Sequence, residues 1–184
     1  MIAQLPTLGP TLETARLILR PTAREDLDGF AALAADEEAA RFIGGVQPRS
    51  VAWRAMCGMA GSWALNGFGM FSVIEKETGQ WVGRLGPWRP EGWPGTEVGW
   101  GLLPSAWGKG YAAEGATAAI DWVFDSLGWT EVVHCIAPEN VRSAATAQRL
   151  GSTNRGPAKL PAPYEASIID LWGQSREAWR RTRA

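Results

Sequence analysis

The spacing of apolar positions along this chain switches between a helical and a strand period, and the switches mark its elements. Ala15-Arg16-Leu17-Ile18-Leu19-Arg20 reads as a first strand, stopped by Pro21. Thr22 and Glu25 form a capping box, and the helix it opens carries Leu27, Phe30, Ala31 and Ala34 on one face. A second helical segment runs from Glu37 to Ile43 and ends at Gly44-Gly45. After Pro48, Ser50 caps a helix with Trp53, Met56, Ala60 and Trp63 on one stripe. Strand chemistry follows: Met70 to Glu75, a turn at Glu77-Thr78-Gly79, and Gln80 to Leu85 as the hairpin partner. A loop over Glu91 to Gly95 leads to a third meander strand, Thr96 to Leu103. The remainder predicts a helix from Tyr111 to Leu127, a strand from Val132 to Ala137 and a helix from Val141 to Leu150. A proline-rich loop, a strand from Ser167 to Trp172 and a last short helix complete the chain. With no internal repeat, low-complexity segment or linker, residues 1–184 read as one mixed α/β domain.

Composition narrows the function classes. At 184 residues, 46% apolar and 20% charged, the chain has a globular composition, and a net charge of -1 argues against a nucleic-acid binder. Asp26, Asp28, Asp36, Glu37 and Glu38 make an acidic N-terminal section. Arg176, Arg180, Arg181 and Arg183 read as a solvated helix end whose cations suit the dipole. The uncharged stretch from Ala55 to Ile74 is as long as a membrane span. Gly58, Gly61, Asn66, Gly67 and Gly69 interrupt it and its period changes partway, so it reads as a core helix followed by a core strand, with no membrane partner. Met1 to Gly9 lacks the cationic start and long apolar run of a secretory signal, and a reducing cytoplasm is the expected home. Cys57 and Cys135 fit no metal spacing, and Cys135 reads as a buried small hydrophobe in its strand. Most of the eleven tryptophans fall in elements and read as packing; Trp88 and Trp93, in or beside a glycine- and proline-rich loop, are placed near a pocket.

The chemistry concentrates in Leu102-Leu103-Pro104-Ser105-Ala106-Trp107-Gly108-Lys109-Gly110-Tyr111-Ala112, a strand end and a two-glycine loop that opens a helix. Glycines let a ligand approach the backbone, and the helix start directs unpaired N–H groups and partial positive charge at it, which makes an anion cradle suited to phosphate. It is neither a P-loop, since Lys109 is not followed by Ser or Thr, nor a Rossmann fingerprint, since it follows a meander. Further on, the strand to Ala137 leads into Pro138-Glu139-Asn140-Val141-Arg142-Ser143 and a helix ending in Arg149-Leu150-Gly151.

These motifs resemble the GNAT acetyltransferase superfamily and, within it, the ribosomal-protein-alanine N-acetyltransferase-like branch. Trp107-Gly108-Lys109-Gly110-Tyr111-Ala112 matches the family's Gln/Arg-x-x-Gly-x-Gly/Ala cofactor motif, with Trp at its first position as in the branch's Trp-Gly-x-Gly-Tyr-Ala-x-Glu string, which here runs to Glu114. Asn140, Ser143, Leu150 and Gly151 match the second motif, Leu12-Glu13-Thr14-Ala15-Arg16-Leu17-Ile18-Leu19-Arg20 resembles the branch's opening, and the resemblance spans residues 12–180. It implies a single α+β domain: a twisted, mostly antiparallel central sheet whose fourth and fifth strands splay into a V, with helices on both faces. It also implies acetyl-CoA as co-substrate in that V, with backbone groups of Leu102 and Leu103 pairing with the pantetheine arm. Amides of Gly108, Lys109, Gly110, Tyr111, Ala112 and Ala113 would take the pyrophosphate, and Asn140 and Ser143 would hold the arm. Lys109 either adds charge to the cradle or is a solvated side chain.

Acyl transfer to an amine needs a neutral amine, a donor to the oxyanion and protonation of the thiolate, and it needs no metal and no covalent intermediate. Glu97, just before the cradle, is the candidate base; His134, the only histidine, is either the base or a hydrogen-bonded core residue. The family's usual acid is a tyrosine after the second motif, and none occurs between Asn140 and Leu150. Ser143 is the nearest replacement, and Tyr164 the alternative. The acceptor is a protein N-terminal α-amine or a small-molecule amine. An α-amine titrates at about 8 and is partly neutral already, whereas a lysine at about 10.4 demands about 4 kcal/mol of deprotonation at neutral pH. A non-catalytic acyl-CoA-binding or sensing module and a nucleotide-binding loop are the rival readings, and the resemblance leaves room for a homodimer.

Overall fold

Among residues 8–183, which the computed structural model describes, eight strands share one sheet. They are β1 (Leu12–Glu13), β2 (Leu17–Pro21), β3 (Phe71–Glu75), β4 (Trp81–Trp88), β5 (Glu97–Leu102), β6 (Glu131–Ile136), β7 (Thr153–Ala158) and β8 (Ile169–Ser175), in the spatial order β1-β2-β3-β4-β5-β6-β8-β7. Neighbours are antiparallel except β5 and β6, which are parallel and share a single residue pair, Glu97 with Val133. There the Val133 N–H donates to Thr96 O at 3.0 Å; beyond it the strands part into the expected V. Side chains take over where the ladder stops: the Cys135 N–H donates to Glu97 Oε1 (3.2 Å), and His134 Nδ1 meets Val98 O (2.6 Å).

Helices cover both faces. They are α1 (Leu27–Ala35), α2 (Glu37–Ala40), α3 (Arg49–Asn66), α4 (Tyr111–Ser126), α5 (Val141–Arg149) and α6 (Arg176–Arg181). Helix α4 lies so close to one face that a Cβ on Gly115 would stand 2.5 Å from Leu85 Cδ2, and Ala116, Ile120 and Val123 bury there against Leu85, Val98 and Val132. On the other face Phe30, Met56, Met59 and Met70 close a second, smaller core beneath Trp81 and Trp88.

Several predicted details move. The N-cap of the first helical turn is Ala23 rather than Thr22, because buried Asp26 accepts the Ala23 N–H (2.8 Å) while also holding Arg20 and the Ser72 hydroxyl. The inward stripe of α1 is Phe30 and Leu33, and that of α3 is Ala52, Met56, Met59 and Trp63, leaving Trp53 exposed. Pro48, not Ser50, precedes α3. The uncharged stretch is a helix to Asn66, a left-handed Gly67 and a strand from Phe71; no helix among the described residues is long and apolar enough to cross a membrane. The hairpin strand reaches Trp88, the last strand shifts to Ile169–Ser175, and β1 and β7 are additions to the six predicted strands. The basic tail is not merely solvated: Arg180 pairs with Asp125 (3.2 Å) and Arg183 with Asp121 (3.7 Å) on α4. Most of the segment read for a secretory signal, residues 1–7, lies outside the described residues.

Candidate active site

One wall of the V is β5 and the turn that follows it. Pro104–Ala106 make one 3-10 turn, and Gly108 (φ +73) and Gly110 (φ +79) then carry the chain through left-handed conformations into α4. The first intrahelical bond to this turn is Glu114 N–H to Gly110 O. No N–H from Gly108 to Ala113 has a hydrogen-bond acceptor among the described residues. Six consecutive open amides at a helix start are a fit for a multiply charged phosphate group. Glu114, which closes the motif string, looks away from the cradle: it accepts from Thr14 Oγ1 (2.6 Å), Arg16 N (2.9 Å) and Arg16 Nε (2.7 Å), fastening the N-terminal strand to α4.

Lys109 also looks away. Its ammonium meets Glu75 Oε1 at 3.2 Å, beside the Tyr111 hydroxyl (2.6 Å). The Tyr111 hydroxyl, with Thr78 and Lys109, holds the Glu75 carboxyl down at about 2. Arg16 Nη2 stands 3.6 Å from the Cβ position of Gly110, and Arg142 is a second cation at this turn, its guanidinium 4.4 Å over the Trp107 ring. That indole in turn donates to Leu102 O (2.9 Å). Sequence reasoning missed Arg142, although a cation inside the Asn140-to-Ser143 motif was a visible signal.

The ladder divides the work of β5. Leu103 donates its N–H to Val82 O (2.9 Å) and gives its carbonyl to the Ala106 N–H, so both its main-chain groups are engaged within the protein. Alternation along an antiparallel ladder turns Trp100 and Leu102 the other way, toward β6, where no strand pairs with them. Across the V, Asn140 caps α5 by accepting the Ser143 N–H (3.1 Å), and Ser143 Oγ accepts from Trp100 Nε1 (3.2 Å). The Ser143 hydroxyl hydrogen remains to donate.

At the closed end of the V sits Glu97, 7% exposed. Its Oε1 takes the Cys135 N–H and its Oε2 the Trp93 indole N–H, which sets Trp93 against the candidate base. Burial raises the Glu97 pKa against the pull of those two donors and of Arg84. Such a carboxylate is a stronger proton acceptor than an exposed one. Cys135, half-buried rather than buried, has its thiol pushed up by burial and by Glu97, and stays protonated. His134 is fully buried with its pKa brought down to about 4 by burial. Val98 O can only accept, so Nδ1 carries the hydrogen and Nε2 accepts from Ser152 Oγ (3.0 Å); neither nitrogen is left for a substrate. Tyr164, 43% exposed, lies over Gly44 on the face of the sheet that carries Glu97. Ser143 and Trp100 lie on the other face, so the V is a passage between two sides.

Residues 16–153 match the acetyltransferase (GNAT) domain family. An uncharacterized N-acetyltransferase, p20, of Bacillus licheniformis is 30% identical over 88% of this chain and 93% of that relative. FsC-acetyl coenzyme A-N(2)-transacetylase of Aspergillus fumigatus is 29% identical over 94% of this chain and 79% of its own. Among solved structures, an acetyltransferase from Agrobacterium tumefaciens superposes with a TM-score of 0.80 at 31% identity, covering 95% of this chain and 99% of the other.

Proposed function

This chain belongs to the GNAT acetyltransferase family, and on that premise we propose that it moves an acetyl group from acetyl-CoA to a primary amine by direct attack in a ternary complex. The observation that carries the reading is the run of six open amides from Gly108 to Ala113 on the wall of a V whose closed end holds the buried Glu97 carboxylate. The amides take the pyrophosphate with Arg142 beside them, and the inward-turned backbone of Trp100 and Leu102 aligns the arm. Acetyl-CoA supplies the acyl group as a thioester. Glu97 takes the proton of the amine, directly or through one water, and Ser143, held by Trp100, donates a hydrogen bond to the departing sulfur, which leaves as the thiolate and takes its proton from solvent. The acceptor is an α-amine or a small-molecule amine. Two things support this: the resemblance to enzymes of protein N-terminal alanines, and a relative whose name gives an N(2) atom as the site of transfer.

The test is thiol release from acetyl-CoA against a panel of N-terminal peptides, amino acids and polyamines. Turnover above background with at least one amine is expected. Tight binding with no thiol release from any amine replaces the reading with an acyl-CoA-binding module.

A further inference from the structure

The face of the sheet that carries Glu97 holds a second charged group for which the proton transfer has no use. The register of β4 against β5 sets Trp88 opposite Glu97, Gly86 opposite Gly99, and Arg84 opposite Gly101. Between the acid and the cation the positions are glycines, so both long side chains lie over a floor without side chains. A Cβ on Gly99 would stand 3.1 Å from Glu97 Oε1, and one on Gly101 3.9 Å from Arg84 Cζ. These two positions are about 7 Å apart along a strand. The two charged heads therefore lie over neighbouring glycines on one face of the sheet, with Met70 between them and Leu33 and Ile43 beside Gly101. Arg84 makes no ion pair among the described residues; its polar contact is to the thioether of Met70, from Nη1 to Sδ at 2.6 Å. A thioether is a weak acceptor, and a guanidinium drawn out of water beside apolar walls has five N–H groups to satisfy. A flexible methionine is a side chain that a ligand displaces readily.

Resting on the acetyl-transfer reading, we propose that the acceptor is an amino carboxylate, a free amino acid or a close analogue, with its carboxylate on Arg84 and its amine at Glu97. A planar guanidinium binds a carboxylate through two parallel hydrogen bonds, which fixes the orientation of the rest of the molecule. Displacing Met70 opens the stretch over Gly99 and Gly101, about 7 Å along the strand, to an amine and a carboxylate separated by a short chain. A polycationic amine would set its second charge against Arg84, and an uncharged one would leave the guanidinium unpaired.

The test compares kcat/KM for a panel of L-amino acids with that for their amides, in wild type, Arg84→Gln and Arg84→Lys. The wild-type enzyme is expected to favour the acids by about 30-fold or more. Arg84→Gln should bring that ratio near one and Arg84→Lys keep part of it. A ratio taken within one variant does not depend on how much of it is folded. Equal or better use of the amides by wild type, or a ratio unmoved in Arg84→Gln, overturns the proposal while leaving acetyl transfer standing. Thermal shift by N-acetyl amino acids against N-acetyl amino-acid amides reads the same site without turnover. An Arg84-dependent shift with no turnover would keep the carboxylate site and remove the transferase reading. No shift and no turnover removes both.

Discussion

Gly110 combines two constraints that a side chain cannot meet together. Its φ of +79 lies in the left-handed region, which costs a residue with a Cβ about 1–2 kcal/mol. A Cβ there would meet Arg16 Nη2 at 3.6 Å, the guanidinium that Glu114 holds, so a branched side chain presses on that pair and distorts the turn that carries the open amides. Gly110→Val is therefore expected to fold, with a modestly lowered Tm, and to lose the thermal shift given by acetyl-CoA; a full shift would show that the cradle is elsewhere. Glu97 makes the complementary case. Glu97→Gln should lower turnover by about 10²–10⁴ and leave that shift intact, since the carboxylate does not face the cradle. Because burial raises its pKa, the acid limb of kcat/KM should lie above the ordinary carboxylate range. Activity climbs through that limb as pH rises and Glu97 ionises, and the limb should be missing in Glu97→Gln. A pH–rate profile with the same limb in both proteins assigns the proton to another group.

At the scale of elements, the first turn of α5 joins folding to binding. Asn140 Oδ1 holds the Ser143 N–H, which in turn presents the hydroxyl that meets Trp100. Asn140→Ala should cost about 1 kcal/mol of stability as a lost cap. Asn140→Asp keeps the capping oxygen and removes the amide donor, so it should keep the Tm and weaken acetyl-CoA by about 1–3 kcal/mol. Calorimetric titration showing unchanged affinity in Asn140→Asp would reduce Asn140 to a helix start. The sequence made these local features readable wherever a period or motif was strong: the meander, α4, α5 and the two-glycine turn. It was silent on β7, where Thr153-Asn154-Arg155-Gly156-Pro157-Ala158 has neither alternation nor apolar content and becomes a strand only by pairing with β8. It was equally silent on the two-residue β1. Within the site, the fate of Lys109 was invisible because its partner, Glu75, lies 34 positions away in sequence and meets it only through the sheet. Arg84 drew no reading from the sequence, because its importance depends on glycines across the ladder, which only the register reveals.

For the whole molecule, His134 ties stability to pH. Its folded pKa, about 4, lies below the ordinary 6.5, so between those values the unfolded chain binds the proton and the folded one does not. Stability must then fall as pH drops from 6.5 to 4, by about 3 kcal/mol from this residue, and this contribution levels off below that window. Glu75 adds a separate loss at lower pH, as the carboxyl held down at about 2 takes up its proton. Denaturant midpoints measured across the range should show the upper step in wild type and not in His134→Gln; a step retained in the variant would place it on another group.

The single pair joining β5 to β6 has a consequence for how the protein breathes. Backbone bonding divides the sheet into a five-stranded and a three-stranded panel, hinged at Glu97 and Val133. Amide deuterium exchange should then resolve two populations of protection, one on each side of this seam. A molecule lying along Trp100 and Leu102 and reaching α5 would act as the missing rung. It should slow exchange in both panels together, including at amides it never touches. If the two populations stay apart with acetyl-CoA bound, the panels are mechanically independent.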